Sequence, residues 1–298
     1  MDGYSNTQDT THMPLADLLS LCAPDGLVAT TPPPAITIYQ RDAPSALEAY
    51  VYQPVVCMVL QGAKMMRSGD QFVDIGPGDA LIVSQHLPVN SRITRASVKE
   101  PYLAIVLTLD LTLLRELFAQ LSGLRDHDRF DEAIGCTPAE PSWADPLQRY
   151  LAMTQDQTAL AILGPQLLRE VHFRLLTSPA GALLRGLTTT DSAANRISQS
   201  IELIRSELAA PLRVPEIAKH IGMSNSAFHS HFKTVTGTTP LQYQKDLRLI
   251  TAMNLLEHEQ FSVASAAYEV GYESPTHFSR DYKRKFGHAP SLAKSSAA

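Results

Sequence analysis

The sequence predicts an α+β protein of two domains: a β-rich first half that ends in helices, then an all-α half. Three observations predict it. Short runs rich in Val, Ile, Tyr and Leu, separated by turn signals, fill residues 35–108. After Asp110 the apolar spacing changes from a strand period to a helical one. Between Val214 and Pro290, a set of residues recurs at a fixed spacing.

A chain of 298 residues has room for about two domains of roughly 150 residues each. With 44% hydrophobic and 18% charged residues, the composition excludes a disordered chain. The longest uncharged apolar run, Val55 to Leu60, is too short to span a bilayer, so no membrane partner is expected. Met1 to Thr11 is polar and acidic and does not read as a signal peptide. Cys22, Cys57 and Cys136 form no CxxC pair, which fits a reducing, cytoplasmic location.

The strands are expected at 35–40, 49–60, 64–67, 71–75, 80–84 and 102–108. They are punctuated by Gln61-Gly62, Ser68-Gly69-Asp70 and Gly76-Pro77-Gly78-Asp79. Many short strands of this kind make a sandwich or a small barrel. Asp110 opens a helix whose Leu114, Leu117, Phe118 and Leu121 share a face, and helical stretches follow at 145–154 and 165–177. The Gly/Thr/Ser-rich segment 181–194 reads as a linker. The expected domains are therefore 1–185 and 196–298, with 186–195 between them.

The recurrence in the second half is specific. Ser224, Phe228, Phe232, Lys233, Gly237 and Pro240 return as Ser274, Phe278, Tyr282, Lys283, Gly287 and Pro290, every pair 50 residues apart. Val214, Ala218 and Gly222 return as Val263, Ala267 and Gly271 at 49. Each copy has the logic of a helix-turn-helix: a short first helix ended by a left-handed glycine, then a second helix anchored by two aromatics. Ser224 caps the second helix of the first copy, and Ser274 precedes Pro275 in the second. Leu241 to Glu257 reads as one connecting helix of about 25 Å, with Leu247, Ile250, Leu255 and Leu256 inward. That length can set two recognition helices one DNA turn apart.

A plain helical bundle would repeat the anchors too. What favours DNA is the outward set of copy two: Thr276, His277, Ser279, Arg280, Lys283 and Arg284, short polar groups first and cations after. The charge split points the same way. Residues 191–298 carry 12 Lys and Arg against 10 Asp and Glu, whereas residues 1–190 carry 13 against 20.

The stretch from Phe261 to Pro290, with Val270-Gly271-Tyr272, Ser274-Pro275 and Phe278-Ser279-Arg280, resembles the signature of the AraC/XylS family of bacterial transcription regulators. Val214 to Leu249 is similar to the family's first helix-turn-helix. Residues 53–121, with Val59-Leu60-Gln61-Gly62 and Gly76-Pro77-Gly78, resemble the N-terminal effector domain of one branch. The resemblance implies a cupin-like β-barrel joined to a tandem helix-turn-helix domain. It implies base contacts from Ser226, His229 and Ser230 in one unit and from Thr276, Ser279 and Arg280 in the other. Phosphate contacts fall to Lys233, Lys283, Arg284 and the amides at Ser224 and Ser274. Relatives commonly carry arginine where this chain has Ser230, so the first unit is expected to grip more weakly. The resemblance also implies a homodimer, RNA polymerase as partner and activation rather than repression. Leu160, Leu163, Leu167, Leu168, Val171 and Leu175 offer an apolar stripe that is either core or dimer surface.

No GxGxxG, GxxxxGK[ST], GxSxG or HExxH is present, and neither a metal nor another cofactor is expected. A metalloenzyme built on a cupin-like barrel is the alternative, but the barrel region holds His86 alone as a histidine. A third reading is an architectural DNA-binding protein with a solid barrel. Asp126, His127, Asp128, Asp131 and Glu132 read as solvated surface. From strand alternation, Tyr39, Tyr52, Cys57, Met65, Phe72 and His86 are expected to line a site for an unidentified small organic effector. Cys57 is either a small buried hydrophobe or a sensor, and no cation neighbours it in the sequence.

Overall fold

In the computed structural model, the described residues are 36–121, 132–189, 192–258 and 261–295. Nine strands occupy the first half: β1 (Ile36–Arg41), β2 (Glu48–Tyr52), β3 (Val55–Gln61), β4 (Ala63–Ser68), β5 (Gln71–Ile75), β6 (Asp79–Val83), β7 (Leu87–Arg95), β8 (Tyr102–Thr108) and β9 (Ile134–Pro138). The strand expected at 49–60 is two, broken at Gln53-Pro54 because proline has no amide to give the ladder. β7 and β9 were not legible, although β7 alternates cleanly, with Leu87, Val89, Ser91 and Ile93 buried.

The strands form two antiparallel sheets, ordered β1-β8-β3-β6-β9 and β2-β7-β4-β5. Among the described residues no ladder joins them, so the expected barrel is an unclosed sandwich of two sheets. The chain crosses between sheets from β3 to β4 at Gly62, where φ is +77°. A Cβ there would lie 2.5 Å from the Arg95 carbonyl oxygen, so the corner requires glycine.

β3 is buried on both faces. Val56, Met58 and Leu60 face a helical layer, and Val55, Cys57 and Val59 belong to the core shared with the second sheet. The helical layer is α1 (Leu111–Gln120), α2 (Pro141–Ala152), α3 (Gln157–Thr177) and α4 (Ala182–Thr188). Asp110 caps α1 by accepting from the amides of Thr112 and Leu113. Trp143, Leu147, Tyr150, Val171 and Leu175 seal the sheet. α3 begins eight residues before the expected stretch and runs through Pro165. Of the leucine stripe, Leu160, Leu167, Val171 and Leu175 are core, whereas Leu163 is half exposed beside Ile162.

The segment expected to be a linker is largely helical, because Leu183, Leu184 and Leu187 give α4 an apolar face that outweighs its composition. Next come α5 (Ala193–Ser206), capped by Ser192, α6 (Val214–His220), α7 (Asn225–Thr236), α8 (Pro240–His258), α9 (Val263–Glu269) and α10 (Pro275–Phe286). The pairs α6–α7 and α9–α10 are the two predicted helix-turn-helix units. Gly222 and Gly271 take φ of +68° and +82° at their turns. At 19 residues, α8 is about 28 Å long. The second unit has its own core around Ala267, Phe278 and Tyr282. The first does not: Ile197, Phe228, Phe232 and Tyr243 belong to the same apolar cluster as Val89 and Ile93 of the second sheet. Among the described residues no helix is long and apolar enough to cross a membrane.

Candidate DNA interface and effector pocket

Each recognition helix turns its aromatic anchors inward and so fixes which residues remain outside. In α7, Ser224 Oγ accepts from the Ala227 amide, and Phe228 and Phe232 are fully buried. Ser224, Ser226, His229, Ser230 and Lys233 are exposed. In α10, Phe278 and Tyr282 take the buried places. Thr276, Arg280, Lys283 and Arg284 are exposed, and Ser279 is partly so. Ser274 stands at the cap position without a side-chain cap bond. Arg284 is also tied to Asp281 at 2.8 Å within its own helix.

The two units are held together by α8. Arg248 donates to the carbonyls of Leu208, Ala209 and Ala210 in the α5–α6 loop and to Gly271 in the second turn, at 2.8–3.1 Å. Two ion pairs join α8 to α10, Lys245–Asp281 at 2.6 Å and Lys285–Asp246 at 2.7 Å.

The first unit is docked on the strands. The Asp70 amide donates to the Gly237 carbonyl at 3.3 Å, and the Ala133 amide donates to Val235 at 3.0 Å. Asp70 carboxylate lies 3.8 Å from Lys233 Nζ, one of the expected phosphate contacts. His229, Ser230 and Lys233 thus line a crevice opposite Asp70 and Gln71. Nearby, Tyr243 of α8 donates to the His86 carbonyl at 2.6 Å, and His86 Nδ1 lies 3.1 Å from Glu202 of α5.

A cavity of about 540 Å³ opens between the two sheets, with Arg205 of α5 at its wall. Of the six residues named for an effector site, Tyr39, Tyr52, Cys57 and His86 line this cavity. Met65 and Phe72 do not. The inward face of β4 is Lys64, Met66 and Ser68, so Met65 points away, and Phe72 lies on the outer face of β5, about half exposed. One residue of register separates the two readings.

The same register places Lys64, which the sequence did not single out, inside the pocket. It is 6% exposed and donates to Cys57 Sγ at 3.2 Å and to Tyr52 OH at 3.5 Å. The cation missing from the sequence neighbourhood of Cys57 is therefore supplied from the facing sheet. Burial opposes the Lys64 charge, but Cys57, Tyr52 and Tyr102 outweigh it and hold the ammonium well above its usual range. Burial, and after it the charge of Cys57, drives Tyr102 well above the ordinary phenol range. Burial, then Arg205, holds His86 below its usual value. Cys136 on β9 is pushed up to about 11, first by burial.

Among the described residues no group of three or more His, Cys, Asp or Glu could hold a metal ion. Asp126, His127, Asp128 and Asp131 lie outside the described residues.

Comparison with known proteins covers both halves. A family model described as the AraC-type transcriptional regulator N-terminus matches residues 32–183, and a helix-turn-helix domain model matches 217–295. The virulence regulon transcriptional activator VirF of Yersinia enterocolitica is 24% identical over 245 residues, spanning 80% of this chain and 87% of VirF. The transcriptional activator RhaS of Citrobacter koseri is 34% identical over 125 residues, 41% of this chain and 44% of RhaS. In fold, the unsaturated-fatty-acid-bound ToxT of Vibrio cholerae superposes with a TM-score of 0.57 at 15% identity, over 86% of this chain and 92% of that one.

Proposed function

The chain belongs to the AraC-type transcriptional regulators, and from that premise we propose how its parts divide the work. The carrying observation is the pair of equivalent recognition helices, each with its aromatics inward and a polar face outward. The two helices enter successive major grooves of promoter DNA. Ser226, His229 and Ser230 read bases in one groove, and Thr276, Ser279 and Arg280 read bases in the next. Lys233, Lys283 and Arg284, with the amides at Ser224 and Ser274, hold phosphates. The pocket lined by Tyr39, Tyr52, Cys57 and His86 takes a small effector. His86 and Arg205 then transmit occupancy, since both belong to the pocket and both meet α5 or α8. The working form is a cytoplasmic homodimer that recruits RNA polymerase. The exposed Ile162 and Leu163 of α3 support a subunit contact, and the names of VirF and RhaS support activation.

Selection of bound sequences from random DNA by the full-length protein, at stated salt, tests this reading. The expected motif has two sub-sites one turn apart. A motif with only the α10 sub-site would make the first unit a positioning module. No enrichment with or without the isolated C-terminal half would overturn it.

A further inference from the structure

We propose that the pocket's ligand is a small organic carboxylate whose acid group binds the buried ammonium of Lys64; the inference rests on the effector role given above to the same cavity. The ammonium is almost wholly removed from water, yet its neighbours are a thiol, a phenol and the face of the Tyr52 ring at 5.6 Å. None of these is an ordinary counter-ion. Glu48, the carboxylate among the described lining residues, is bonded to the hydroxyl of Tyr50. Arg205, at the same cavity, pairs with Glu202 at 2.9 Å. Among the described residues Lys64 is therefore a buried cation without a carboxylate partner, and burying such a charge is costly unless something pairs with it.

The cavity supplies the room for the missing anion. Its volume is that of a site for a small organic molecule. Its remaining walls are mostly aromatic and aliphatic, with Tyr39, Tyr102, Val55, Val106 and Ile93 among them. Arg92, also in the lining, is exposed and bonded to Met65, and Arg205 is paired, so a single buried cation faces these walls and matches a monoanion with an apolar body. A phosphate monoester, doubly charged and with three oxygens to satisfy, would need more donors than Lys64 offers. An ammonium has three N–H donors, so it can bond a carboxylate while keeping Cys57 or Tyr52.

The test uses full-length protein and matched probes: benzoate, 2-naphthoate and octanoate, each against its neutral amide, by calorimetry at neutral pH. At least one acid is expected to bind about tenfold or more tighter than its amide, as for a hydrogen bond to a charged group. The aromatic and straight-chain arms separate the two sources of such acids, aromatic metabolism and lipid. In Lys64→Met, which keeps the length and removes the charge, that preference is expected to vanish while amide binding stays. Three pairs with no acid preference would overturn the proposal, and so would a preference that survives Lys64→Met. Should that variant not fold, the wild-type pairs still decide, with alkylation of Cys57 as the site marker: the preferred acid shields it at concentrations where its amide does not. If the acids bind as expected and promoter binding does not change, the site stands and its effector role fails.

Discussion

His172 is fixed in one tautomer by its two neighbours. The Asp110 amide donates to Nε2 at 3.0 Å, which leaves Nδ1–H for the Leu168 carbonyl at 2.7 Å. A second ring proton would face the Asp110 N–H. Burial is the main reason that the imidazole titrates below its usual value of 6.5. The folded state thus binds its proton less readily than the unfolded chain. The stabilisation is full above about 6.5 and is lost as pH falls through the lower folded value. Urea unfolding at about pH 7 and pH 5 should show a fall in stability on acidification. His172→Gln should be less stable at pH 7 and fall less, not to zero slope, because His86 is shifted in the same direction. An unchanged slope would remove His172 from the account. On the DNA side, Arg280→Ala should cost about 1–3 kcal/mol and relax preference at one base pair. Equal loss on promoter and random DNA would instead make Arg280 a phosphate contact. How legible each residue was follows from its neighbours in sequence. The recognition face could be read because Phe228, Phe232, Phe278 and Tyr282 fix helix rotation. Lys64 could not, because Lys64-Met65-Met66 supports either strand phase, and the phase that hides a lysine inside looks the worse one.

At the scale of elements, the turn between β4 and β5 and the C-terminal end of α7 meet backbone to backbone. Gly69 and Gly237 both have positive φ, and a Cβ on Gly69 would stand 2.1 Å from the Gly237 carbonyl oxygen. The contact brings Asp70 to Lys233, a proposed phosphate contact. Asp70→Asn should therefore raise DNA affinity by no more than about fivefold, the scale of an exposed ion pair. The gain should shrink as salt increases, and titration at two salt concentrations measures it. A lower affinity would show that the turn helps α7 onto DNA. None of this docking could be read from the chain, since Gly69 and Gly237 are separated by many elements and each also suits an ordinary turn. The helix within the expected linker was hidden for a similar reason: residues 181–194 carry loop-like composition, but three leucines at helical spacing make Ala182–Thr188 helical.

For the whole molecule, the apolar clusters divide differently from the chain. The first helix-turn-helix shares its core with the strands, and the second stands on its own core at the far end of α8. Whatever fills the pocket therefore acts near the first unit. The second is joined to it by α8, by the four carbonyl bonds of Arg248 and by the close approach of Gly271 to Ala209. Arg248→Lys keeps the charge but cannot span four acceptors with one ammonium. It should weaken binding to a two-sub-site promoter more than to DNA carrying the second sub-site alone, as gel-shift titrations of the two would show. Equal losses would mean that the guanidinium supports folding and not spacing.

That fastening also sets a grammar for the genome. DNA turns once in about 10–10.5 base pairs, so one inserted pair swings the second sub-site about 35° around the duplex. A loosely tethered reader would follow the swing. Arg248 fastens the second turn to the α5–α6 loop, so under the proposed reading a promoter with both words intact and one extra letter between them is expected to be misspelt.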